Sequence, residues 1–284
     1  MKLSIGTAQF GFNYGICNKE GIINEKEAKK IINFCRIKKI ISIDTAQGYG
    51  KSHKVLGSLD LKKFFITTKI SNIKKIRDKH LEDFIFQEID KILKELNTKQ
   101  LYGLLLHNTK QLKGKFGIKL FKVLQKIKNK KKFKKLGVSV YTKKELNFVL
   151  KNFSIDIVNL PMSVANQEFC KKNYLLKLKK KKIEIHVRSI FLQGLLLCNQ
   201  KNLPEKFKGN KFFLEWFDWL QLNKYNSLEA CLGFIKNIKQ VNKIIIGVDN
   251  IHQLKMIVKA YKKSIRFKFK KFSQTSILRK PSKW

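Results

Sequence analysis

The stretch Ser42-Ile-Asp-Thr-Ala-Gln-Gly-Tyr-Gly50 runs a short strand-like segment into a glycine-punctuated loop, and it sets a carboxylate, Asp44, five residues before a phenol, Tyr49. Two further apolar runs, Phe64-Phe-Ile-Thr-Thr-Lys69 and Leu101-Tyr-Gly-Leu-Leu-Leu-His107, each deliver one charged or titratable side chain at the C-terminal end. Outward from these, short runs rich in Ile, Val, Leu and Phe recur near residues 2–6, 40–45, 64–69, 101–107, 135–139, 155–160, 184–189 and 243–247. Most of the stretches between them are long enough for an amphipathic helix. Asn24 to Cys35 opens with a capping Asn and an acidic first turn and then carries apolar residues at helical spacing. Residues 74–96 repeat that pattern with Ile76, Leu81, Phe84, Ile85, Ile89, Ile92 and Leu93. Eight strands alternating with helices predict a single-domain (β/α)8 barrel, whose reactive groups sit at the C-terminal strand ends. An open doubly wound sheet ranks below it, because Ile5-Gly-Thr-Ala-Gln-Phe-Gly11 is not a GxGxxG turn leading straight into a helix.

Composition agrees with one domain over residues 1–284. Hydrophobic residues make up 43% of the chain, enough for a sizeable core, and its three prolines mark no linker. Residues from about 262 to 284 read as a basic C-terminal tail of that domain. The N-terminus enters a strand pattern at once, without the charged leader and apolar run of a signal peptide, and no run approaches a membrane span. The five cysteines, Cys17, Cys35, Cys170, Cys198 and Cys231, form no CxxC pair. They read as reduced thiols of a cytoplasmic protein, with neither a disulfide framework nor a thiolate metal site. No metal is expected, since His53, His80, His186 and His252 show no ligand spacing.

The net charge of +42 allows two readings. A polyanion-binding surface would use it. Compositional drift is favoured, because the excess is nearly all Lys and comes with heavy use of Ile, Asn and Phe, the residues of A/T-rich codons. The runs at 126–135 and 177–182 fall where helices would end, so they also complement helix dipoles. No nucleic-acid-reading motif is evident.

The order Asp44, Tyr49, Lys69, His107, each at or just past a strand end, resembles the catalytic tetrad of the aldo-keto reductases. Ile5 to Gly11, Leu56-Gly57, Leu136-Gly-Val-Ser-Val-Tyr141, Gln193-Gly194 and Ile245-Ile-Gly-Val-Asp-Asn250 agree with the pattern of that family. The resemblance runs from about residue 3 to about 260. It implies reduction of an aldehyde or ketone by a nicotinamide cofactor, NADP(H) with NAD(H) as the alternative, bound without a Rossmann domain.

In that reading Tyr49 donates the proton that the carbonyl oxygen needs as it becomes an alkoxide. An ammonium at Lys69 favours phenolate, Asp44 keeps Lys69 charged, and His107 polarises the carbonyl. Singly, each has a plain alternative: a packed Tyr, a surface Lys, a core His and a turn-capping Asp. For the cofactor the resemblance implies Gly6 and Thr7 at the first turn, Asp44, then Ser139 and Asn159 on the carboxamide. It implies Arg188, Ser189, Leu192, Gln193 and Gly194 after the seventh strand, and Gly247, Asp249 and Gln253 at the eighth. Arg188 stands where an aromatic usually stacks on nicotinamide. It is read either as a stacking guanidinium or as a grip for an anionic substrate. Gln253 stands where NADPH-preferring members often carry Arg.

The expected partner is a small carbonyl compound, sugar-like or anionic, and the protein is expected to be a monomer or weak homo-oligomer. Trp216, Phe217 and Trp219, in the long 194–227 segment, either line the pocket or pack a helix on the barrel. A cofactor-binding regulator or scaffold with little turnover is the competing function, with polyanion binding third.

Overall fold

Eight parallel strands close on themselves in chain order in the computed structural model, which describes residues 1–71, 73, 80–263, 267, 269, 272 and 276–279. They are β1 (Leu3–Gly6), β2 (Ser42–Asp44), β3 (Phe65–Ile70), β4 (Leu101–Leu106), β5 (Phe133–Ser139), β6 (Ile157–Pro161), β7 (Glu184–Arg188) and β8 (Lys243–Ile246). The ring closes where β8 pairs with β1, Ile5 opposite Ile246. This is the expected (β/α)8 barrel.

Helices α1 (Glu25–Ile37), α2 (Ser52–Gly57), α3 (Leu81–Glu95), α4 (Gly114–Asn129), α5 (Lys143–Asn152), α6 (Lys172–Lys180), α7 (Lys211–Leu222), α8 (Ser227–Lys236), α9 (Ile251–Lys262) and α10 (Ser276–Arg279) complete the described architecture. Their ends follow local chemistry. Asn24 accepts from the Glu27 amide to start α1, Thr142 and Glu145 form a reciprocal capping box on α5, and Asn250 accepts from the Gln253 amide on α9. Apolar stripes such as Ile85, Ile89 and Ile92 of α3 face inward and are fully buried. Burying each such side chain contributes roughly 1.5–3 kcal/mol.

One expectation changes, one lies partly outside the described residues, and one choice between two readings is decided. β5 begins at Phe133, which is 1% exposed, so Lys134 and Lys135 of the lysine run lie on the strand and not between helix and strand. The early part of the 74–96 helix, with Ile76, lies outside the described residues, and α3 begins at Leu81. The 194–227 connection holds the whole of α7, whose Trp216 and Trp219 are buried. They stack at 5.4 Å and meet Phe272 of the tail at 5.6 and 5.5 Å, so they pack a helix onto the barrel and do not line a pocket. Of the tail, Phe267, Phe269, Phe272 and Leu278 join this packing, and most of the rest lies outside the described residues.

A second polar cluster occupies the start of the strands, the end of the barrel away from Asp44. Glu184 at the head of β7 accepts from Lys135 at 2.5 Å and from Tyr102 at 2.8 and 3.0 Å, and lies 3.3 Å from His186. Burial opposes the carboxylate, but those hydrogen bonds outweigh it and hold the Glu184 pKa down at about 2.

Candidate active site

Parallel register sets the site. Asp44 is the last residue of β2 and pairs with Gly6 and with Thr67, and Lys69 lies two residues further along β3. Beyond Asp44 the chain stays zipped to β3, through Thr45 N to Thr67 O and Gln47 N to Lys69 O, each at 2.9 Å. The Tyr49 amide then closes a turn onto Ala46 O, which sets the phenol back over the strand ends. Gly11 and Gly50 make this turn possible. A Cβ on Gly11 would sit 1.6 Å from the Tyr49 carbonyl oxygen, and Gly50 has φ +52° with its own Cβ position 2.4 Å from Gly11 O.

Lys69 is 1% exposed and fully engaged. Its Nζ donates to Asp44 Oδ1 at 2.5 Å and to Thr45 O at 2.9 Å, and reaches Tyr49 Oη at 3.5 Å. Burial disfavours the ammonium, but Asp44 and then Tyr49 outweigh it and raise the Lys69 pKa above its ordinary value. Asn159 of β6 donates to Asp44 Oδ2 at 3.1 Å, so both carboxylate oxygens are held. His107, one residue past β4, stands edge-on to Tyr49 with ring centroids 6.0 Å apart, and its Nδ1 lies 3.0 Å from Ser71 Oγ. Burial, the Lys69 ammonium and Arg188 depress its pKa to about 4 against the pull of Asp44. Near neutral pH His107 is therefore an uncharged imidazole. The structure thus brings Asp44, Tyr49, Lys69 and His107 into one constellation, as the sequence pattern implies.

The cofactor candidates fall into three groups. Ser139, the last residue of β5, and Asn159, midway along β6, are register partners and are both buried. Among the described residues Asn159 Oδ1 is buried without a hydrogen-bond partner, an acceptor whose lone pairs are left unmatched. The loop after β7 carries Ser189, Leu192 and Gln193 at φ +60°, +47° and +56°, followed by Gly194 at +93°. Left-handed backbone costs non-glycine residues about 1–2 kcal/mol each, and such strain collects at functional loops. At the start of α9, Gln253 accepts from Asp249 N at 2.9 Å and donates to Asp249 Oδ2 at 3.1 Å, while Gln9 donates to Oδ1 at 3.4 Å. Gly247 leaves room for that Gln9 side chain, since a Cβ there would lie 2.8 Å from Gln9 Nε2.

Gly6 closes β1 and Thr7 follows it, both in buried positions. Thr7 is fully buried and its hydroxyl accepts from Ser52 at 2.8 Å, within a chain that includes Thr45. That network braces the Asp44 strand end. The Arg188 guanidinium lies 4.3 Å over the Tyr141 ring and donates to Val140 O at 3.0 Å.

Several residues escape the sequence pattern. Ser71 orients His107, and Phe12 packs 6.0 Å from Tyr49. Tyr14 joins the same cluster, 5.5 Å from Phe12, and burial lifts its pKa to about 12, with Tyr49 adding and Arg188 opposing. Tyr141 closes the quoted Leu136–Tyr141 motif, whereas Tyr14 sits in a loop with no periodic signal. Among the described residues no group of three or more His, Cys, Asp or Glu converges on a metal position, and no helix is long and apolar enough to cross a membrane.

The profile of the Aldo/keto reductase family matches residues 2–277. An aldo-keto reductase from Bacillus halodurans, solved in its holo form, superposes with a TM-score of 0.73 at 16% identity, covering 99% of this chain and 91% of that one. The glycerol dehydrogenase of Gluconobacter oxydans gives 0.68 at 17% identity over 99% and 89%. At these identities the likeness concerns the fold. No curated protein matches the sequence.

Proposed function

Because this chain belongs to the aldo/keto reductase family, an oxidoreductase family on a (β/α)8 barrel, we propose that it reduces an aldehyde or ketone to an alcohol at the expense of a nicotinamide dinucleotide. The observation that carries this reading is the chain from buried Asp44 and Lys69 to half-buried Tyr49, with Tyr49 Oη 3.5 Å from Lys69 Nζ and His107 beside it.

When bound, the dinucleotide supplies the hydride. Tyr49 Oη gives up its proton to the substrate oxygen, and the Lys69 ammonium stabilises the negative charge left on the phenolate. Asp44, fixed by Asn159, keeps Lys69 charged and aimed. Neutral His107 donates a hydrogen bond to the carbonyl oxygen from Nε2 when Ser71 Oγ donates to Nδ1. Asn159 Oδ1 and Ser139 fit the carboxamide, whose NH2 needs an acceptor. The strained Ser189–Gly194 loop fits the pyrophosphate, with Arg188 at the base of that loop either stacking on the ring or gripping an acidic substrate group.

NADP(H) follows from the resemblance. NAD(H) is the second reading, favoured by one observation: Gln253 is tied to the Asp249 carboxylate at the head of α9, where a 2′-phosphate would meet like charge. The free thiols fit a reducing compartment, the cytoplasm. Titrating the purified protein with NADPH and NADH by fluorescence, then screening aldehydes and sugar-type or carboxylated ketones for cofactor consumption, tests the proposal. Saturable binding and turnover are expected, and absence of binding to either cofactor overturns it.

A further inference from the structure

We propose that Cys17 and Cys198 form a thiol-modification site, at which exchange with a low-molecular-weight disulfide closes an intramolecular bond between the loop after β1 and the loop after β7. The two residues are 181 positions apart, yet their sulfurs lie 3.2 Å from one another. Neither is buried, in contrast to Cys35 and Cys231, so a small disulfide can reach them.

The surrounding backbone holds the pair in register. Ile16 N donates to Gln193 Oε1 at 3.1 Å and Cys17 N to Gln193 O at 3.4 Å. Gly194 has φ +93°, and any Cβ on it would lie 2.8 Å from the Cys17 Cβ, so glycine permits this approach twice over. Cys198 is the attacking group. The hydrogen bond from Cys17 lowers its pKa to about 7 against burial, helped by Lys19, whereas the Cys17 thiol is pushed up.

In the reaction the Cys198 thiolate attacks one sulfur of the small disulfide and displaces a thiolate. Cys17 then loses its proton and attacks the Cys198 sulfur of the mixed disulfide, displacing the second thiolate. Both cysteine protons end on the two displaced thiols. The cysteines are oxidised by two electrons in total, and the small disulfide is reduced by the same two.

The bond fixes the loop bearing Phe12 and Tyr14 onto the Ser189–Gly194 loop, which the reading in the preceding section assigns to the cofactor. Oxidation then slows cofactor exchange. This second consequence rests on that reading, whereas the disulfide itself rests only on the geometry.

The test uses the full chain and oxidised glutathione. Of the five thiols, two are expected to become resistant to alkylation without retained glutathione, and peptide mapping is expected to join residue 17 to residue 198. Cys17→Ser should leave a stable glutathione adduct on Cys198, since the resolving thiol is gone. Five alkylatable thiols after treatment, or a bond between other cysteines, would overturn the site. In stopped-flow fluorescence, NADPH release should slow at least tenfold on oxidation and recover with dithiothreitol. Equal release rates with the disulfide mapped would overturn the coupling to the cofactor loop, and failure of both NADPH and NADH to bind would count against the functional reading and not against the disulfide.

Discussion

Replacing Lys69 with methionine keeps most of the apolar stem, one atom shorter, and removes the ammonium with its charge and its hydrogen bonds to Asp44 and Thr45. The ammonium lies 3.5 Å from Tyr49 Oη. A full unit charge pair at that separation is worth about 5 kcal/mol at an effective dielectric near 20. Only part of the phenolate charge has developed when the barrier is crossed, so about 2–4 kcal/mol is lost, or a drop of roughly 30- to 1,000-fold in kcat. The same change strands Asp44, whose Oδ1 loses a 2.5 Å partner while Oδ2 keeps Asn159 at 3.1 Å. A buried carboxylate without its cation costs about 3–5 kcal/mol of stability, so Lys69→Met should also unfold at lower denaturant. Initial rates of cofactor oxidation from pH 6 to 9, with cofactor titration and urea unfolding on the same preparation, separate the two effects. A folded variant that turns over within about threefold of wild type, with an unchanged pH profile, would refute the role given to Lys69.

Three other consequences are open to measurement. Ser71→Ala removes the 3.0 Å contact at His107 Nδ1, and we expect kcat to fall about 5- to 30-fold, on the scale of one lost hydrogen bond of about 1–2 kcal/mol, with cofactor affinity unchanged. Glu184, held at about 2 against an ordinary value of 4.5, contributes stability that is present above the ordinary value and is lost as pH falls towards 2. Urea unfolding should therefore show a shallower acid loss between pH 5 and 3 in Glu184→Gln than in wild type. Phe272, 2% exposed against Trp216, Trp219 and Phe212, should cost about 3–5 kcal/mol when cut to Ala, visible as a lower midpoint in chemical unfolding and little change in kcat of the folded fraction.

The barrel was legible because each strand is a dense apolar run bounded by polar helix starts, and period-2 and period-3.6 patterns do not mix. The expected strand ends fall within about two residues of the observed ones, and the late start at β5 arises because Lys134 and Lys135 mask a strand that the buried Phe133 anchors. The tetrad was legible for a related reason, since a single charged or titratable side chain closing an apolar run stands out. Support from across the barrel was not. Ser71 reaches His107 from just past the end of β3, and Asn159 fixes Asp44 from 115 residues away, distances that no local spacing reports. The approach of Cys17 to Cys198 was hidden for the same reason, because the two meet only once the ring has closed. The two readings of Trp216 differ by which surface covers the helix, and that surface includes Phe272, far along the chain.

The most direct test of the central claim, that Tyr49 delivers the proton in a nicotinamide-dependent carbonyl reduction, is a single-turnover measurement on Tyr49→Phe. The variant loses one oxygen and keeps the Asp44–Lys69 pair. Premixed with NADPH, or with NADH if that binds more tightly, and then with an aldehyde that the wild type reduces, it should bind cofactor with wild-type affinity and leave the reduced cofactor absorbance unchanged over many wild-type turnover times. Oxidation of the bound cofactor at a rate within tenfold of wild type would contradict the assignment.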